Sequence, residues 1–91
     1  APTGETTTAT YLRVVVRDRP GILARVCGIL AKHGVNIDSV FQEPGYPKDR
    51  LPFVMTLDPI QEKKVRRAVL EIARAPFLVE PPLMLPFAEL P

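Results

Sequence analysis

The fold is decided by one stretch of sequence, Val16-Arg17-Asp18-Arg19-Pro20-Gly21-Ile22-Leu23, where a β-branched run ends and a helical pattern begins. Proline suits the first position of a helix, since its fixed φ matches a helix and its missing N–H has no intrahelical partner there. We therefore predict a helix that begins at Pro20. The backbone N–H groups of Gly21, Ile22 and Leu23 then precede the first intrahelical hydrogen bond, at the positive end of the helix dipole.

This helix start has the features of a binding site for a free amino acid. Unpaired amides at a helix N-terminus bind small anions such as carboxylates, and Gly21 has no side chain to keep a ligand away from the backbone. Asp18 places a negative charge beside the same position, where it can pair with an ammonium group. The alternative is structural: Asp18 only caps the helix, and Gly21 is a small residue tolerated in its first turn.

Length and composition limit the classes of protein that the chain can represent. Its 91 residues make one domain with a modest core, and a hydrophobic fraction of 46% with 24% charged residues is typical of a globular protein. A net charge of +2 with interspersed signs predicts no nucleic-acid partner. The single cysteine excludes an internal disulfide, and the chain shows no signal peptide or membrane segment, so we expect a cytoplasmic protein.

Hydrophobic periodicity predicts six elements in the order strand, helix, strand, strand, helix, strand. The predicted strands cover residues 11–17, 35–42, 51–57 and 77–87. The first predicted helix covers residues 20–33, and the second begins at residue 58. This order is typical of an α+β, ferredoxin-like βαββαβ sandwich, a four-stranded antiparallel sheet with two helices on one face. We interpret residues 1–10, which are small and polar, as a linker or cloning remnant before a domain over residues 11–91.

The pattern also predicts how the elements pack. Leu12, Val14 and Val16 should face the core, and mid-helix Gly28 indicates close packing of the first helix against its neighbours. The opposite face of the sheet should carry four apolar residues, Tyr11, Val15, Val40 and Val54. That face is more apolar than an isolated domain should expose, so we expect a second copy or the rest of a parent protein to cover it.

No set of residues in the sequence resembles a catalytic or metal site. His33 is the only histidine, which excludes a histidine-based metal cluster or catalytic dyad, and Cys27 lies on an apolar helix stripe as a core residue would. The strand positions at which an RNA-binding domain needs aromatic residues carry Val15, Val54 and Thr56. We expect no catalytic residues, no metal and no cofactor in this chain.

A resemblance to a known family is carried by Val16-Arg17-Asp18-Arg19-Pro20-Gly21-Ile22-Leu23-Ala24, then Ile29-Leu30-Ala31, then Gly34-Val35-Asn36-Ile37. These motifs resemble the ACT domain, a regulatory module that binds amino acids. Residues 11–85 are most similar to the C-terminal regulatory domain of homoserine dehydrogenase. The features that narrow the resemblance are Leu51-Pro52-Phe53-Val54-Met55-Thr56-Leu57 before the second helix and a proline-rich end after Phe77-Leu78-Val79.

The resemblance implies feedback control of aspartate-family amino acid biosynthesis, in which threonine binds this domain and slows a separate NAD(P)-dependent catalytic domain. It implies a homodimer formed through the second strand and first helix, with the effector at the seam. The implied effector site comprises Asp18, Pro20, Gly21, Ile22, Leu23, Asn36 and Ile37. Asp18 would bind the ammonium, the amides after Pro20 would lie near the carboxylate, and Asn36 would approach from the neighbouring second strand.

Two alternatives remain beside this interpretation. The chain could be a dimerisation module that binds no ligand, or the ACT domain of another enzyme of an amino-acid pathway. Binding of an amino acid by the isolated chain separates the first alternative from the regulatory function, because any ligand of the native state raises its stability.

Overall fold

The computed structural model describes residues 7–17 and 20–86. Its elements follow the predicted order: β1 (Thr7–Val16), α1 (Ile22–Lys32), β2 (Ile37–Gln42), β3 (Leu51–Gln61), α2 (Glu62–Ala73) and β4 (Leu83–Pro86). The strands form one antiparallel sheet in the order β2-β3-β1-β4, and residues of both helices share one core with it. The predicted ferredoxin-like fold is confirmed.

The core lies between the helices and one face of the sheet, as the alternation in β1 predicts. Leu12, Val14 and Val16 are all at most 1% exposed. They belong to a single cluster with buried residues of every element except β2 and β4, among them Val26 of α1 and Val65 of α2. Burial of this continuous apolar surface is the main favourable term in folding.

The first strand begins earlier than predicted. It starts at Thr7, whereas the prediction gave residues 1–10 to a linker, of which 1–6 lie outside the described residues. Thr10 is completely buried and pairs with Leu57 of β3 on one side and Pro86 of β4 on the other. The composition of a threonine-rich segment cannot show this, because such a segment becomes a strand only when two neighbours supply hydrogen bonds.

The second helix begins later than predicted. β3 continues through Asp58 and Pro59 to Gln61, and α2 begins at Glu62. Pairing of Thr8 with Ile60 holds this extension in the sheet, so a tertiary contact overrides the helix-start signal of Asp58-Pro59. Within the described part of the predicted last strand, only Leu83–Pro86 form β4, after the prolines at 81 and 82, and residue 87 lies outside the described residues.

A β-bulge in β2 reverses the predicted faces of that strand. The register shifts between Ile37 and Ser39, so Asp38 is an extra residue on this side of the ladder. From Ser39 onward every side chain therefore points to the face opposite to the one that simple alternation gives it. Val40 turns toward the helix side, and Phe41 turns to the open face with 59% of its surface exposed. The prediction was wrong for Val40.

Ion pairs cover part of the open face. Arg13 contacts Glu43 at 3.0 Å and Glu80 at 3.2 Å, and Glu80 also contacts Arg50 at 2.7 Å. Val15 lies two residues along the same face and is only 3% exposed. The expectation that Val15 contributes to an exposed apolar face was therefore wrong.

Gly28 does not mark a close contact within the chain. It is exposed, and a Cβ added there would meet nothing within 4 Å. The prediction of close packing at this position was wrong, since the glycine lies on the face of α1 that points away from the sheet.

Candidate functional site

The junction between β1 and α1 is shaped by a glycine in the left-handed conformation. Gly21 has φ 82° and ψ −2° and is the N-cap of α1, so the helix begins at Ile22 and Pro20 lies in the preceding turn. The prediction that Pro20 is the first helical residue was wrong. A left-handed residue cannot belong to a right-handed helix, and glycine adopts this φ without the strain that a Cβ would cause.

Three amides at the start of α1 precede its first hydrogen bond. That bond runs from the N–H of Arg25 to the carbonyl of Gly21 at 3.0 Å. The N–H groups of Ile22, Leu23 and Ala24 therefore have no intrahelical acceptor and lie at the positive end of the helix dipole. The predicted set named Gly21 in place of Ala24, and it moves by one residue because the helix begins later.

A cavity of about 230 Å³ lies against this helix start. It is lined by Val16, Arg17, Gly21, Ile22, Leu23, Ala24 and Phe53. The residues whose amides have no intrahelical acceptor, Ile22, Leu23 and Ala24, thus line a cavity that a small molecule can occupy. Four of the lining residues were not in the predicted site: Val16, Arg17, Ala24 and Phe53. The first three adjoin the predicted motif, whereas Phe53 is distant in sequence and is brought beside the helix start by β3.

The remaining predicted site residues lie elsewhere or outside the description. Asp18 belongs to the two undescribed residues between β1 and Pro20, so its role stays a prediction. Asn36 is exposed just before β2, and its carbonyl accepts a hydrogen bond from the N–H of Asp58 at 2.9 Å. Ile37 is half-buried at the first position of the strand.

Within one chain, the start of β2 is far from the cavity. Ile37 pairs with Leu57, which in turn pairs with Thr10, whereas the cavity adjoins Val16 at the other end of β1. The step from Thr10 to Val16 along the strand spans about 20 Å. Asn36 and Ile37 therefore cannot join the amides of their own chain around one small ligand.

The described residues show no arrangement typical of metal binding or nucleophilic catalysis. No group of three or more His, Cys, Asp or Glu residues able to hold a metal ion occurs among them. Partial burial raises the pKa of the Cys27 thiol, which disfavours the nucleophilic thiolate. Neither α1 nor α2 has the length and apolar character of a membrane span.

Comparison with known proteins identifies the family. The family model described as the ACT domain matches residues 10–75, most of the chain and all of the junction. The chain belongs to the ACT domain family. The fold agrees: the ACT domain of a GTP pyrophosphokinase from Chlorobium tepidum superposes with a TM-score of 0.68 at 14% identity, covering 88% of this chain and all of that one.

The similar full-length proteins are homoserine dehydrogenases. The Pseudomonas aeruginosa enzyme is 36% identical over 62 residues, 67% of this ACT domain and 14% of that protein. The enzyme from Methylobacillus glycogenes is 34% identical over 76 residues, 82% of this chain and 18% of that protein. A solved homoserine dehydrogenase from Thiobacillus denitrificans has a TM-score of 0.84 and 27% identity, over 94% of this chain and 19% of that one. The chain thus spans less than a fifth of the length of these homoserine dehydrogenases.

Proposed function

We propose that this ACT domain is the regulatory domain of a homoserine dehydrogenase, and that it binds an amino acid, threonine in the first instance, at the β1–α1 junction. One observation carries the proposal: three amides at the start of α1, which have no intrahelical acceptor, adjoin a cavity of about 230 Å³. Such amides are complementary to the carboxylate of a free amino acid. Asp18 would then bind its ammonium group.

The position of Asn36 supports a site shared by two copies of the chain. β2 is an edge strand, and all its residues except the first are exposed, so its free edge is available to a second β2. Antiparallel pairing of two such edges would bring the start of one β2 beside the end of the other. That end, Gln42, pairs with Phe53 of the cavity, so Asn36 of the partner subunit would come near the amides.

The flank of α1 that points away from α2 supports the same dimer. Helical geometry places Ala24, Cys27 and Ala31 together on this flank, opposite the side on which Lys32 and Glu71 join the two helices. Small side chains allow a second helix to approach closely. Val40, on the helix side of the free sheet edge, is 42% exposed and would be covered by the same contact.

Regulation would follow from a difference in affinity between dimer arrangements. A ligand held between two subunits favours the arrangement that closes on it, and it can shift the enzyme only by that preference. The catalytic domain, with the NAD(P) that the reaction needs, would be a separate and cytoplasmic part of the parent protein. This chain would contribute the effector site and the dimer contact.

The experiment is a thermal unfolding series with each of the twenty amino acids, together with the solution mass. Threonine should raise the melting temperature as its concentration increases. The gain in the free energy of unfolding is RT ln(1 + [L]/Kd), which is about 2.7 kcal/mol at 100 times Kd. Asp18→Ala should abolish the shift, while Asp49→Ala, in the exposed loop between β2 and β3, should retain it.

Each alternative gives its own result. A dimer that no amino acid stabilises would support the dimerisation module and contradict effector binding. A response to another amino acid in place of threonine would assign the domain to a different enzyme of an amino-acid pathway.

A further inference from the structure

A second cavity lies on the other flank of the start of α1. It measures about 300 Å³ and is bounded by the end of β1, the first turns of α1 and the turn that follows α2. The lining residues are Arg17, Pro20, Ile22, Arg25, Pro76 and Phe77. The volume is at the lower end of the range for ligand pockets, which suits a small molecule.

Two arginine residues line this cavity, and neither has an acidic partner in the described part of the chain. Among the described residues, neither Arg17 nor Arg25 has a carboxylate within ion-pair distance, whereas Arg13, Arg50 and Arg66 each have at least one. The described lining of the cavity contains no acidic residue. Two like charges at one cavity repel each other, so the site favours a ligand that brings negative charge.

Both arginines contact the same buried residue, Phe77, Arg25 through its side chain and Arg17 through its backbone. The guanidinium of Arg25 lies over the ring of Phe77, 5.8 Å from its centroid, and the backbone N–H of Arg17 donates to the Phe77 carbonyl at 3.1 Å. Phe77 itself is only 7% exposed. This cation–π contact uses none of the guanidinium N–H groups of Arg25 as hydrogen-bond donors to a carboxylate, so they can bind an anion.

We propose that this cavity, named here the Arg17–Arg25 site, binds a phosphate-type oxyanion. A tetrahedral dianion balances two guanidinium charges and presents acceptor oxygens in more directions than a carboxylate, which carries one charge. The same chemistry belongs to free inorganic phosphate and to the phosphate group of a monoester. The site is distinct from the first cavity, because it lies on the opposite flank of α1, and the two cavities have Arg17 and Ile22 in common.

The test is a titration of the chain with sodium phosphate, in the absence of amino acids and against sodium chloride at matched ionic strength. Calorimetry gives the affinity, and NMR of the arginine side-chain Nε–H groups identifies the residues involved. We expect saturable binding with shifts at Arg17 and Arg25. Arg17→Gln and Arg25→Gln should each weaken binding about tenfold or more, since a hydrogen bond to a charged group contributes about 1.5–3 kcal/mol.

Arg67→Gln is the matched control, because Arg67 is exposed on α2 and lines neither cavity at the start of α1. It should bind phosphate as the parent chain does. A repeat titration with glycerol 3-phosphate separates the two sources: tighter binding than phosphate assigns the site to a monoester, and weaker binding assigns it to the free ion. Equal responses to phosphate and chloride, or NMR shifts that spare both arginines, would overturn the proposal. Loss of threonine binding with phosphate binding intact would overturn only the effector site.

Discussion

Replacing Gly28 by alanine should stabilise the domain, although the glycine lies at a site that the sequence suggests is constrained. Gly28 has ordinary helical φ, and a Cβ there would meet nothing within 4 Å. The substitution therefore adds no clash and removes the backbone entropy that glycine loses on folding. Glycine in a helix interior is about 0.8–1.0 kcal/mol less favourable than alanine, so the gain should be close to that amount.

Gly21→Ala provides the opposite case with the same chemical change. A Cβ at Gly21 would also meet nothing within 4 Å, but φ is 82°, which costs a residue with a side chain about 1–2 kcal/mol. Urea unfolding at fixed protein concentration measures both variants. For a domain of this size, 1 kcal/mol corresponds to about 4–8 °C in melting temperature. A loss of stability in Gly28→Ala would refute the reasoning and would indicate that another chain approaches this face of the helix.

Two further predictions concern the core and the contact between the helices. Met55→Ala should lower the free energy of unfolding by about 2–5 kcal/mol because the side chain is completely buried, whereas Leu70→Ala, at 61% exposure, should change it by less than about 0.5 kcal/mol in the same urea experiment. Hydrogen bonds from His33 and Lys32 lower the pKa of Glu71 below its ordinary 4.5. The ionised Glu71 carboxylate therefore stabilises the folded state fully above pH 4.5, and this stabilisation is lost as the pH falls through the folded-state pKa. Glu71→Gln should reduce the loss of stability in acid, and an unchanged acid limb would contradict this linkage.

The order of elements and the core face of β1 could be predicted because they depend on local periodicity. Leu12, Val14 and Val16 alternate along a strand, and no tertiary contact changes that pattern. Similarly, the glycine beside Pro20 marked the junction correctly. Whether the helix begins at Pro20 or after Gly21 could not be predicted, since both residues suit a helix start. Only the left-handed φ of Gly21 shows that the helix begins after it.

The errors arise where distant residues determine the local structure. The bulge at Asp38 follows from pairing with β3, and nothing in the local sequence requires it. The extension of β3 to Gln61 depends on β1 reaching back to Thr7. Strand register also places Asn36 at the far end of the sheet from the amides of α1, so the predicted site, in which Asn36 comes from the neighbouring second strand, would need a second subunit.

The most direct test of the effector site is a ¹⁵N–¹H NMR titration of the chain with threonine. We expect saturable shifts of the Ile22, Leu23 and Ala24 amides, together with a shift of Asn36, which would report contact with the partner subunit in the dimer. Saturable binding that leaves these amides unmoved would contradict the claim that the start of α1 holds the carboxylate of the effector.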